Sequence, residues 1–158
     1  MIEEQDINSP STRRLIAIIV SSFLVTFVIS RLIVYLVVDH LIPNMFLVVR
    51  GVHIHHFTYG VVILVLVGLY MILLRPKPET KKFFFATLFY GIGLGLTFDE
   101  FGMWIRLEDD YWVRQSYDAV VIITLLLFNI AYYKPLMSLL NMFGRTITWP
   151  VKKIRKHL

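Results

Sequence analysis

The chain has no cysteine among its 158 residues. That excludes disulfides, thiolate-bound metals and thiol redox chemistry, and leaves the compartment open. Charge is scarce as well: 17% of the residues are Asp, Glu, Lys or Arg, 57% are hydrophobic, and the mean hydropathy is +0.68. This balance is too apolar for a soluble domain of such length and is explained if lipid is the solvent. The sequence shows no internal repeat, no low-complexity tract and no cleavable signal. Glu3, Glu4 and Asp6 precede Arg13 and Arg14, and the apolar run that follows is too long for a signal h-region, so it is read as a retained first span. A formal charge of +5 would suggest nucleic acid for a soluble protein. Here the basic residues have a simpler use in membrane orientation, and no nucleic-acid partner is expected.

What is present is four long apolar stretches, at about residues 15–38, 55–74, 83–105 and 118–133. About 20 helical residues cross a hydrocarbon core, so the expected architecture is all-α: a polytopic, four-helix transmembrane domain over residues 1–133. The first twelve residues are polar and read as surface or disordered chain. Leu41–Val49, broken by Pro43-Asn44, is too short to span and is expected to lie in the interface or re-enter. Arg75-Pro-Lys-Pro-Glu-Thr-Lys-Lys ends the second span with two prolines. Residues 134–158 mix apolar positions with late basic ones and read as an amphipathic cytoplasmic tail resting on anionic inner-leaflet lipids.

Twelve of the sixteen Lys and Arg fall on one side of these spans: Arg13, Arg14, the four of the 75–82 loop and the six from Lys134 onward. The positive-inside rule therefore places both termini in the cytoplasm, in a multi-pass protein of a prokaryotic plasma membrane. Seven of the eleven acids and four of the five histidines collect at the opposite, outer end.

That segregation selects the candidate functional residues. His53-Ile-His55-His56 stands at the start of the second span, and two of its imidazoles can converge on one cation in either a helix or an extended segment. Asp99-Glu100 interrupts the third span, where a carboxylate is costly and functional by default. Stepping back by fours from Asp99 reaches Gly95 and Gly91, a small-residue stripe that admits a close helix and aims Asp99 into the bundle. Glu100 points about 100° away on a continuous helix, so the two acids need not share a site. Arg31 rises ~24 Å from Leu15 and Asp99 rises ~24 Å from Phe83, which matches them in depth as an ion pair. Asp118 opens the fourth span, where the helix dipole favours an acid, and stands at the level of a further ligand. Asn129 lies within the fourth span and is expected to hydrogen-bond to a neighbouring helix. The motifs His-Glu-x-x-His and paired Glu-x-x-His are absent.

The patterns His-x-His-His-Phe-x-x-Gly (His53 to Gly60) and Gly-x-Gly-Leu-x-x-Asp-Glu-Phe (Gly93 to Phe101), with Tyr111-Trp112 and Ser-x-Asp at 116–118, resemble a group of small prokaryotic integral membrane proteins. The resemblance covers roughly residues 50–125. It implies a fold and a shared site, and carries no activity with it.

Three functions follow as expectations. The first is a divalent transition metal (zinc, iron or manganese) held by His53, His55, His56, Asp99 and Asp118. It would serve a membrane enzyme acting on a lipid-linked or membrane-proximal substrate, with Glu100 as general base and Arg31 beside it. The second is metal or proton binding and permeation. The inner halves of the spans carry almost no ionisable groups, so a complete pathway would need a homo-oligomer. The third is a structural subunit stapled by an Arg31–Asp99 pair.

Overall fold

A computed structural model describes residues 10–43, 47–50, 52–78, 80–108, 110 and 112–154, with the backbone alone at residues 10, 52–53 and 139–154. The protein is an all-helical membrane protein. Helix α1 runs Pro10–Val38, α2 His56–Leu74, α3 Lys81–Asp99, α4 Phe101–Arg106 and α5 Arg114–Ile154. The only other regular element among the described residues is a short antiparallel ladder, β1 (Val48–Val49) against β2 (Val52–His53). Three helices, over Ser11–Val38, His56–Leu74 and Arg114–Ser138, are long and apolar enough to cross a membrane. Many of their large side chains, among them Leu66, Ile72 and Leu73 of α2, are exposed. Such surface is tolerated where lipid rather than water lies outside.

Each helix starts and stops for local reasons. Proline occupies the first position of α1, where its missing N–H costs nothing. The helix therefore begins within the stretch expected to be disordered. It ends in a left-handed His40 (φ 57°), with the Leu41 N–H donating back to the Leu36 carbonyl and the His40 N–H to Val37. Those bonds satisfy carbonyls the last turn would otherwise leave open. Thr80 caps α3, its hydroxyl accepting from the Phe83 N–H at 3.2 Å.

Helix α3 is the central one, packed along its length between α1 and α2. Its glycines explain how. A methyl group at Gly95 would stand 2.6 Å from Thr26 Cβ and 2.8 Å from the Phe23 carbonyl oxygen, and one at Gly91 would meet Ser22 and the Ile19 carbonyl, all on α1. Gly93, two residues round the helix, faces Leu64 and Ile63 of α2. Gly60 returns the favour from α2, where a methyl would stand 2.6 Å from Thr97 N and 2.8 Å from the Gly93 carbonyl. Backbones at such separation gain van der Waals and Cα–H···O contacts that larger residues would forbid.

Two departures from the sequence reading have clear causes. The expected third span over 83–105 is broken: α3 stops at Asp99, Glu100 leaves the helical region (φ −103°, ψ 12°), and α4 starts anew. Glu100 is drawn off the helix axis by its bonds to α2, described below. The expected boundary between a span ending at 133 and a separate tail is instead a single helix, kinked at Tyr132 (φ −120°, ψ 18°). Pro135 follows within one turn. It has no N–H to donate to the Ala131 carbonyl, and its ring crowds that group, so the turn must bend. The side chains that would make residues 139–158 amphipathic lie outside the described residues. So does the centre of the 41–49 segment, whose end pairs as β1 rather than forming a helix.

Candidate functional site

Where α1, α2 and α3 meet at the end opposite the basic loop, five charged or ionisable side chains bond to one another. Asp99 and Glu100 are each 1% exposed. Arg31, from the same depth of α1, reaches Asp99 with its Nε 2.5 Å from Oδ1, and also donates to the Asp99 backbone carbonyl. Its guanidinium lies over the rings of Phe27 and Tyr117, at 5.5 Å and 5.0 Å from their centroids. Cation–π contact of this kind lets a charge sit in an apolar layer at lower cost. The other Asp99 oxygen accepts from His56 Nε2 at 3.0 Å.

Glu100 is held three ways. Oε1 accepts from His55 Nδ1 at 3.2 Å and stands 3.5 Å from His56 Nε2, while Oε2 accepts from the Phe57 backbone N–H at 2.9 Å. The last bond has a structural meaning. Helix α2 begins with His55 as its N-cap residue, extended and without a side-chain bond to its own first turn. Glu100, 43 residues later, supplies the missing acceptor at the positive end of the helix dipole. A carboxylate that accepts from a backbone N–H and one imidazole, with a second imidazole nearby, is well compensated for leaving water.

The sequence reading separated Asp99 from Glu100 by about 100° of helix. The structure brings both to His56, because the helix ends at Asp99 and the 100° rule ends with it. Asp118 does not join them. Helix α5 begins a turn earlier, at Arg114, so Asp118 is not the capping residue, and it pairs with Arg114 at 3.3 Å with its side chain 54% exposed. The backbone of His53 lies in β2, opposite Val48, and its side chain lies outside the described residues. Asn129 is exposed, and among the described residues it makes no hydrogen bond to a neighbouring helix.

Among the described residues no group of three or more His, Asp and Glu is set around a common point that could hold a metal ion. The donors face each other instead, with the carboxylates orienting the imidazoles.

A cavity of about 260 Å³ opens beside this cluster. His55, Glu100 and Glu108 give it polar groups, and Phe57, Met103, Trp104 and Leu107 give it apolar wall. Helix α4 forms one side and is fixed to α5 by a buried bond from the Gly102 N–H to Ser116 Oγ at 2.9 Å, with Val113 packed against Gly102. The sequence alone does not single out the Phe57 amide, the Phe27 and Tyr117 rings, Met103 or Leu107 as site residues. Trp104 reads from sequence as part of an interfacial belt. Ser116 carried a signal, since it belongs to the Ser-x-Asp pattern. The amide and the rings carry none, because their roles arise only from packing. Comparison with protein-family models, with curated proteins and with solved structures returns no match.

Proposed function

We propose that this chain is a four-span membrane protein, with α1, α2, α3 and α5 crossing the bilayer and both termini inside, that carries out acid–base chemistry at its outer end. Glu100 exchanges the proton, His55 and His56 take it up or return it, and Arg31 with Asp99 fixes the charge behind them. The observation that carries this reading is the Glu100 carboxylate, buried, bonded to imidazole and lining one cavity. Buried carboxylate–imidazole pairs supply general acids and bases in a low-dielectric site. The cavity's mixed lining suits an amphiphilic, membrane-proximal substrate. Helix α3 is counted as a span on its 19-residue length and central position. Its glycines, threonines and terminal Asp99 lower its hydropathy because they face other helices rather than lipid.

Infrared titration of the protein in lipid checks the proton assignment. A carboxyl band that titrates together with imidazole bands, and disappears in Glu100→Gln, is expected. A titration unchanged by that substitution would remove Glu100 from the role. The orientation is checked separately, in a chain that has no cysteine of its own. Asp110→Cys is expected to react with a membrane-impermeant maleimide on intact cells, and reaction only after permeabilisation would invert the topology.

A second reading keeps the same atoms and adds a divalent metal such as zinc, iron or manganese. It is favoured by one observation: His56 Nε2 lies 3.0 Å and 3.5 Å from oxygens of the two carboxylates. Donors around a tetrahedral ion at ~2.0–2.1 Å are separated by ~3.3 Å, so small side-chain shifts would suffice. Elemental analysis of the purified protein beside a His55→Ala, His56→Ala variant separates the readings. Stoichiometric metal lost in the variant supports the second, and no metal in either supports the first.

A further inference from the structure

Helix α5 packs against the rest of the bundle by one face only. Ala119, Val120 and Ala131 are buried on it, and Ala131 joins Ile16 and Val20 of α1 in the inner core cluster. Asn129 lies on the opposite face, two residues or about 200° round from Ala131. It is exposed, and its amide has no hydrogen bond among the described residues. Its neighbours on that face are apolar and open: Ile122 is 64% exposed and Leu125 63%.

The depth of this amide is fixed from both ends. Packing of Leu127 and Ala131 on Val20 and its neighbours puts Asn129 near the level of Val20, ~10 Å inside Arg13 along α1. From Arg114 it lies ~22 Å down α5. Both distances fall within a ~30 Å hydrocarbon core. An amide facing lipid there is left without the hydrogen bonds that water would give it, which is costly in hydrocarbon.

We propose that α5 is a dimerisation helix and that Asn129 pairs with Asn129 of a second copy. The occupant is a second copy because the amide is self-complementary: it offers a donor and an acceptor, so two of them face to face bond reciprocally. Two copies share one topology in the membrane, so their two-fold axis runs along the bilayer normal and places equal residues at equal depth. The surrounding spacing fits. Ile122, Leu125 and Asn129 follow the three- and four-residue steps of a left-handed helix seam, in which a single buried Asn fixes register and partner number. This proposal rests on the reading of α5 as a membrane span.

Single-cysteine variants along α5, oxidised in proteoliposomes with copper–phenanthroline, test it. Cross-linked dimer is expected at positions 122 and 125 and little at 128 and 130, which point about 100° away from Asn129. In subunit counting by single-molecule photobleaching, Asn129→Leu should weaken dimerisation about tenfold and Asn129→Gln only a few-fold. Equal dimer in wild type and Asn129→Leu, a wild type that stays monomeric, or a cross-link pattern centred on another face or another protein would each overturn the proposal. Maleimide access distinguishes its failure from that of the span assignment. If Asn129→Cys reacts with an impermeant maleimide in sealed vesicles, α5 does not cross there. A wild type that stays monomeric while Asn129→Cys is protected sinks the interface alone.

Discussion

Gly95→Ala is expected to lower stability by about 2–3 kcal/mol, the range of overpacked cores where the neighbours cannot yield. The added methyl would lie 2.6 Å from Thr26 Cβ and 2.8 Å from a backbone carbonyl of α1, and the carbonyl cannot move without moving the helix. Valine at the same place should do worse, pushing α1 off α3 and separating Arg31 from Asp99. Gly68→Ala provides the control, since nothing lies within 4 Å of the methyl it would add. Alanine in an open helical position gains about 0.5–1 kcal/mol over glycine, so Gly68→Ala should be neutral or stabilising. Thermal unfolding in one detergent compares all three. If Gly95→Ala melts with Gly68→Ala, the close approach of α1 and α3 is wrong.

Arg31→Met is expected to cost about 3–5 kcal/mol, because it leaves a buried carboxylate without its cation. Asp99 is 1% exposed, so water cannot take the place of the guanidinium. Neutralising both partners, as Arg31→Met with Asp99→Asn, should recover more than half of that loss, since an uncharged pair has no desolvation debt to settle. The cycle formed by the wild type, the two single variants and the double variant reads the coupling directly. Additive effects within about 0.5 kcal/mol would show that the two side chains do not depend on each other. His56 also bonds Asp99, so the double variant should regain stability while the imidazole loses its ionised partner.

Much of this arrangement was legible before any coordinates. Stepping by fours from Asp99 through Gly95 to Gly91 marked the face that α1 approaches, because helical period alone decides which residues share a face. Equal rise from Leu15 and Phe83 matched Arg31 with Asp99 for the same reason. The break at Glu100 was not legible. Nothing in Leu-Thr-Phe-Asp-Glu-Phe-Gly ends a helix by propensity. What ends it is a bond to the first turn of α2, a partner remote in sequence. The apolar run begins a turn after α5 itself does, at Arg114, and that one turn moves Asp118 from a helix cap to a surface pair. The kink at Tyr132 was hidden by a strong apolar run, although Pro135 is plain in the sequence.

Glu100 has one more consequence. The carboxylate that meets the cavity is also the tether that anchors the first turn of α2, through the Phe57 amide. A carboxylate at a helix N-terminus is worth about 0.3–1 kcal/mol more when ionised than when neutral. Any occupant of the cavity that hands Glu100 a proton therefore slackens its grip on α2, and any that withdraws one tightens it. The charge state of Glu100 is thus felt at the first turn of a helix whose other end lies beside the basic loop at Arg75. The carboxyl group that lines the cavity is also the latch on the start of α2.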